Sequence, residues 1–186
     1  MVARGNPAAL ALGPGYLYIA PIGTTEPTDL VTAWATVSAA WVALGYTDQG
    51  SEFDYQLNTS PVNVAEELDA ISNAPDGRQS SVKFNLAQIT ATNLKYASNG
   101  GTVTTGTGIV TFEPPDLGTE VRVMLGFESE DHQERWVFRQ GLQTGQLTIV
   151  RQKGANNATM SAEFMLEKPA SGSRIYKAIF QSPARQ

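Results

Sequence analysis

The 186-residue chain has no cysteine and a single histidine, His132. The first absence excludes disulfide scaffolds, thiolate nucleophiles, iron–sulfur clusters and every zinc site that uses sulfur. The second excludes sites that need two imidazole ligands and leaves one imidazole as a general base. Charge is scarce too. Charged residues are 17% of the chain, and 13 Lys and Arg against 18 Asp and Glu leave a net charge of −5. An acidic chain lacks the basic face on which nucleic-acid binders rely. So few charges predict that much of the folded surface is covered by other protein. Long hydrophobic runs are also missing. No stretch reaches the ~20 apolar residues of a membrane-spanning helix, and Ala8–Leu12 is too short for a signal-peptide core. The expectation is a soluble chain made in the cytoplasm, with no membrane partner.

What is present is period-two alternation of apolar and polar side chains, the pattern of half-buried strands. Phe53, Tyr55 and Leu57 alternate with Glu52, Asp54 and Gln56, and Val82, Phe84 and Leu86 with Ser81, Lys83 and Asn85. Val121, Val123, Leu125 and Phe127 share a face, as do Trp136 and Phe138. The longest such run is Ala158, Met160, Ala162, Phe164 and Leu166. Shorter strands are predicted at Tyr16–Ala20, Trp41–Tyr46, Gly108–Phe112, Gln146–Arg151 and Arg174–Phe180. Turns are read at Thr47-Asp48-Gln49-Gly50 as a bulged hairpin, at Gln140-Gly141, and at Gly154-Ala155-Asn156-Asn157. One helix is predicted from Thr90 to Ser98, capped by Thr90 and stopped at Asn99-Gly100. The fold class is mainly β: an antiparallel β-sandwich or partial barrel with one short flanking α-helix.

Three segments fall outside this pattern: the Gly/Pro/Ala-rich Met1–Gly15, the broken Pro21–Ser38, and Asn58–Arg78. The last reads as a long loop carrying Pro61, Val62, Val64, Leu68 and Ile71. A connection of that length is functional or disordered. Its apolar residues need a surface to bury against, which is evidence for assembly. No internal repeat divides residues 1–186, which read as a single domain.

Catalytic chemistry finds little support. His132 lies in the acidic run Glu128-Ser129-Glu130-Asp131-His132-Gln133-Glu134, with no nucleophile motif or second ligand set beside it. Carboxylates pair at Glu52/Asp54, Glu66/Glu67/Asp69 and Glu163/Glu167, but sequence spacing along one strand does not make a cleft. Gly100-Gly101 and Gly106-Thr107-Gly108 open no helix with a Lys, so they form no phosphate loop. The composition implies no cofactor and no metal, and an enzyme is the weakest class. A carbohydrate-binding β-sandwich is the alternative from another class, with Trp34 and Trp41 as the stacking surface.

The opening Gly13-Pro14-Gly15-Tyr16-Leu17-Tyr18-Ile19-Ala20-Pro21-Ile22-Gly23-Thr24, then Pro27-Thr28-Asp29, then Trp41-Val42-Ala43-Leu44-Gly45-Tyr46-Thr47 with Gly50, resembles the major tail proteins of long-tailed bacteriophages. The strand Val82–Leu86, the helix Thr90–Ser98 and Gly100-Gly101 continue the likeness through about the first 100 residues. The resemblance implies a structural virion protein of the phage tail, not an enzyme. Six copies would form a ring whose sheets join into an inner β-barrel, and rings would stack into a tube that conducts DNA without binding it. It also implies that Asn58–Arg78, Met1–Gly15 and the tail Gln181–Gln186 bridge neighbouring copies. A tape-measure protein and other tail proteins are the further partners, and a tail terminator is the runner-up within virions. Candidate lumen-facing acids are Glu52 and Asp54 on one strand and Glu163 and Glu167 on another.

Overall fold

The structure, a computed structural model, describes residues 13–153, 157–170 and 172–182. In chain order it contains β1 (Gly15–Pro21), α1 (Trp34–Val37), β2 (Val42–Gly45), β3 (Thr47–Val62), β4 (Ser72–Leu86) and α2 (Ala91–Ala97). There follow β5 (Thr102–Gly106), β6 (Ile109–Glu113), β7 (Val123–Ser129), β8 (Glu134–Gln143), β9 (Ile149–Val150), β10 (Thr159–Leu166) and β11 (Tyr176–Phe180). Nine strands form one antiparallel sheet in the order β2-β1-β7-β8-β10-β4-β3, with β11 beside β8 and β9 beside β10. β5 and β6 make a separate hairpin. The sheet is open, as a sandwich or partial barrel requires, with β2 and β3 at its two edges.

The alternating residues explain the core. Leu17, Ile19, Val82, Phe84, Leu125, Phe138, Met160 and Phe164 all point to one interior, where each is at least 95% buried. Tyr46 alone separates the edge strands β2 and β3 in sequence, and its carbonyl accepts a hydrogen bond from the Ala87 N–H at 2.8 Å. The sheet thus curls until its two ends meet at one corner. Helix α2 follows the sequence signals. The Thr90 hydroxyl accepts the Asn93 N–H at 3.1 Å, and Asn99 (φ 57°) with Gly100 (φ 129°) ends the helix in left-handed conformations. Asn93 is buried and donates to the carbonyls of Leu44 and Gln88 at 3.0 and 2.8 Å, which ties the helix to β2.

Some local expectations are corrected. Asn58–Arg78 is not a loop: residues 58–62 belong to β3 and 72–78 to β4, so the segment is the outer half of one long hairpin. Its Pro61, Pro75 and Gly77 depressed the strand signal, yet the ladder tolerates them because β3 is an edge, β4 is unpaired on its other side before Ser81, and a bulge falls at Asn58/Thr59. Gln49 (φ 63°) and Gly50 (φ 79°) form a bulge inside β3, not a hairpin turn. Gln140-Gly141 does not reverse the chain. Gly141 stands in β8 between Val123 of β7 and Leu166 of β10, paired on both sides in the middle of the sheet. Of the strand expected at Gln146–Arg151 only Ile149–Val150 forms, and β5 and α1 had no expectation. The turn read at 154–157 has residues 154–156 outside the described residues, as are the first 12 residues of the N-terminal arm and 183–186 of the tail.

Alternation predicted one buried face, but β1, β7 and β8 are covered on both. Trp34, Trp41, Met124, Val137 and Ala20 form a second cluster, where the segment after β1 folds over the outer face. Gly126 makes this close approach feasible, since a Cβ there would lie 2.5 Å from the Trp34 ring. Beside it Glu128 and Arg135, cross-strand neighbours, are buried together. Arg135 donates to Glu128 at 3.1 Å and to the carbonyls of Thr32 and Asp29 at 2.7 and 3.1 Å. The Trp34 indole N–H donates to the other Glu128 oxygen at 2.5 Å, and the guanidinium lies 5.5 Å from the indole centroid. A buried pair is costly to break because the surviving charge has no water to return to. Glu128→Ala should destabilise the fold by about 3–5 kcal/mol in chemical denaturation. The double replacement Glu128→Leu with Arg135→Met should recover much of that loss.

Candidate assembly interface

The β3–β4 hairpin outgrows the core it helps to cover. β10 pairs with β4 only from Ser81 to Leu86, while β3 stays paired with β4 as far as Val62↔Ser72. Beyond that level the hairpin is a free-standing two-stranded ladder, which water alone would not stabilise well. Its apolar alternation nevertheless continues. Phe53 packs among Trp136, Phe138 and Tyr176 with centroids 5.1–5.7 Å away. Tyr55 and Leu57, next on the same face, are 48% and 50% exposed. The core face therefore runs off the end of the core, uncovered by the described residues of one copy. At the tip Val62, Val64, Leu68 and Ile71 are all exposed, and Pro61 precedes them at the end of β3. The tip is closed by the Ile71 N–H bonding the Val62 carbonyl at 3.0 Å, and Ser60 bonds Asp76 across the ladder.

The opposite face of the same strands is polar, and it gathers three of the four acidic candidates. Glu52, Lys83 and Glu163 stand in cross-strand register on β3, β4 and β10, with Asp54 one step along. Lys83 Nζ donates to Asp54 Oδ2 at 2.7 Å and lies 3.6 Å from Glu163 Oε1. The hydrogen bond from Lys83 holds the Asp54 carboxyl below its usual value, and the same bond raises Lys83. Glu167 is set apart beyond the end of β10. It takes Arg122 Nε at 2.7 Å and the Gln140 side-chain amide at 2.7 Å, and Arg122 lowers its pKa.

The features on which other functions would depend are spent on structure. Trp34 and Trp41, which a sugar-binding surface needs exposed, are 2% and 4% exposed. His132 (φ 54°) sits in the β7–β8 turn, bonded through Nδ1 to Glu128 at 2.6 Å and stacked on Tyr16. Among the described residues no three His, Asp or Glu converge as metal ligands, and no helix is long and apolar enough to cross a membrane. Sequence reasoning missed the pair of Glu128 and Arg135. A charge on an apparently outward strand position gave no sign that a second layer lies above it.

The Asp54–Lys83 bond has a testable pH signature. A depressed carboxyl contributes stability above its unfolded pKa that is lost as pH falls through the folded value. NMR titration should find Asp54 ionising below the usual aspartate range, with Lys83→Met returning it toward that range. The accompanying stability change should be small, because both side chains are exposed.

Comparison with known proteins supplies the family. A family model described as "Phage tail tube protein" matches residues 3–163. No curated protein sequence matches the chain. Among solved structures, a chain of the baseplate of the anti-feeding prophage, determined by cryo-electron microscopy with six-fold symmetrisation, is similar at 8% identity and a TM-score of 0.49, covering 92% of this chain and 96% of its own. With the family model spanning most of its length, the chain belongs to the phage tail tube protein family, structural components of the virion.

Proposed function

We propose that copies of this chain polymerise into rings, six per ring as the family resemblance implies, which stack into a tube through which DNA passes during ejection. The observation that carries this reading is the hairpin whose apolar face and tip have nothing among the described residues to cover them. Burying Tyr55, Leu57, Val62, Val64, Leu68 and Ile71 against neighbours recovers the hydrophobic free energy that the isolated copy forgoes, at roughly 25 cal/mol per Å². The 16-residue edge strand β3 and the opposite edge β2 supply backbone groups by which sheets of adjacent copies join. Tape-measure protein and other tail proteins are the further partners of such a tube.

The polar face of β3, β4 and β10 supports a lumen role. Glu52, Asp54 and Glu163 outnumber the single cation Lys83, which is engaged by Asp54. A wall of this kind offers phosphates no free cation and releases no counterions on contact, so DNA slides.

Purified protein in a concentration series should form tubes with a central channel by electron microscopy; a strictly monomeric species throughout would reject the reading. Replacing residues 58–77 by a two-residue Asn-Gly turn, which joins the register pair Leu57 and Arg78, should leave the melting temperature nearly unchanged, because the segment lies beyond the core, while abolishing tube growth. The triple variant Glu52→Lys, Asp54→Lys, Glu163→Lys should give tubes that retain DNA at low salt and release it as salt rises. Tubes of the unaltered chain should retain none under the same conditions.

A further inference from the structure

We infer that the hairpin tip docks on β9 and residues 151–153 of a second copy, a contact that rests on the tube reading and names the surface receiving the arm. The tip between Val62 and Ser72 combines exposed Val64, Leu68 and Ile71 with Glu66, Glu67 and Asp69, and contains no basic residue. Its occupant surface must therefore be apolar and positive. Five of the eleven Lys and Arg among the described residues are already engaged. Lys83, Arg122, Arg135 and Arg139 pair with carboxylates, and Lys177 donates to the Pro27 carbonyl. The exposed apolar group Ile109, Val110 and Leu117 lies in a segment bearing Glu113, Asp116 and Glu120, the wrong sign. At β9 the two requirements coincide. Ile149 and Val150 are 40% and 37% exposed, and Arg151 and Lys153 follow them, exposed, with no acidic residue between.

Position makes the contact propagate. Ile149 pairs with Met160 at the start of β10, and Met160 is level with Leu86 at the foot of β4. The hairpin tip begins at Ser72, the head of the same 15-residue strand, roughly 50 Å away at ~3.3 Å per residue. Donor tip and receiving strand thus stand at opposite ends of one sheet. A tip cannot reach its own β9, and a head-to-tail contact of unlike surfaces repeats without closing on a pair. The apolar side chains supply burial, while the charges set the register and reject a tip-to-tip meeting of like acids.

Charge reversal tests this pairing against the assembly of the unaltered chain. Glu66→Lys with Glu67→Lys should raise the concentration needed for tube formation by about tenfold or more, as should Arg151→Glu with Lys153→Glu. The four substitutions together should restore assembly, with monomer melting unchanged in all three. The absence of cysteine gives an independent readout. Leu68→Cys with Val150→Cys should yield an oxidised ladder of linked copies from assembled tubes, and either single variant should not ladder. Tubes from the unaltered chain combined with normal assembly of both reversed pairs, or with no ladder from tubes of the double-cysteine variant, would overturn this contact and leave the tube reading standing. Failure of the unaltered chain to form tubes would overturn the tube reading itself.

Discussion

The structure depends on one mismatch of length: the β3–β4 ladder is far longer than the sheet that backs it. Where β10 lies alongside, period-two alternation does its ordinary work, with Val82 and Phe84 inward and Lys83 and Asn85 outward. Past Ser81 the alternation persists in Tyr55 and Leu57, but among the described residues no third strand and no opposing layer remain. A two-stranded ribbon with a half-apolar face is a poor end state in water. In the tube proposed above, that incompleteness is a device for assembly, because stability withheld from the single copy becomes available at the interface.

The same strands divide labour between their faces. One side carries aromatic burial around Phe53 and then the exposed stripe that follows it. The other carries the acids Glu52, Asp54 and Glu163 around Lys83. A strand cannot change the function of one face without register, since a slip of one residue would exchange them. The bulge at Gln49-Gly50 and the corner at Gly45 therefore matter beyond local geometry. They fix where β3 begins and hence which residues face which way. In the middle of the sheet, the buried Glu128–Arg135 pair and the Trp34 indole clamp the segment after β1 to the outer face of β7 and β8. That second layer keeps the β1–β8 half compact while the hairpin half projects.

Much of this was legible in the residues, and the reasons for the exceptions are specific. The strands at Val82–Leu86, Trp136–Arg139 and Ala158–Leu166 and the helix α2 follow from alternation and capping, which are local properties of a chain beside a core. Asn58–Arg78 was read as a loop because Pro61, Pro75 and Gly77 are poor strand formers, and only pairing across the hairpin offsets that weakness. Trp34 and Trp41 looked available for stacking, yet lie buried under a layer that no periodicity announces. Glu167 shares its strand parity with Glu163, but Arg122, 45 residues earlier, draws it into a separate ion pair.

By itself the sequence determined the fold class, the acidic balance, the absence of thiol chemistry and the presence of apolar residues in need of a partner, all properties of composition and near-neighbour spacing. Tertiary structure alone decided that these residues sit on a projecting hairpin, that three acids from two distant segments share one face, and that the tip and β9 occupy opposite ends of one sheet. The physical reason is that strand pairing is non-local: antiparallel ladders join residues as far apart as Lys83 and Glu163, and no local pattern encodes which edge meets which.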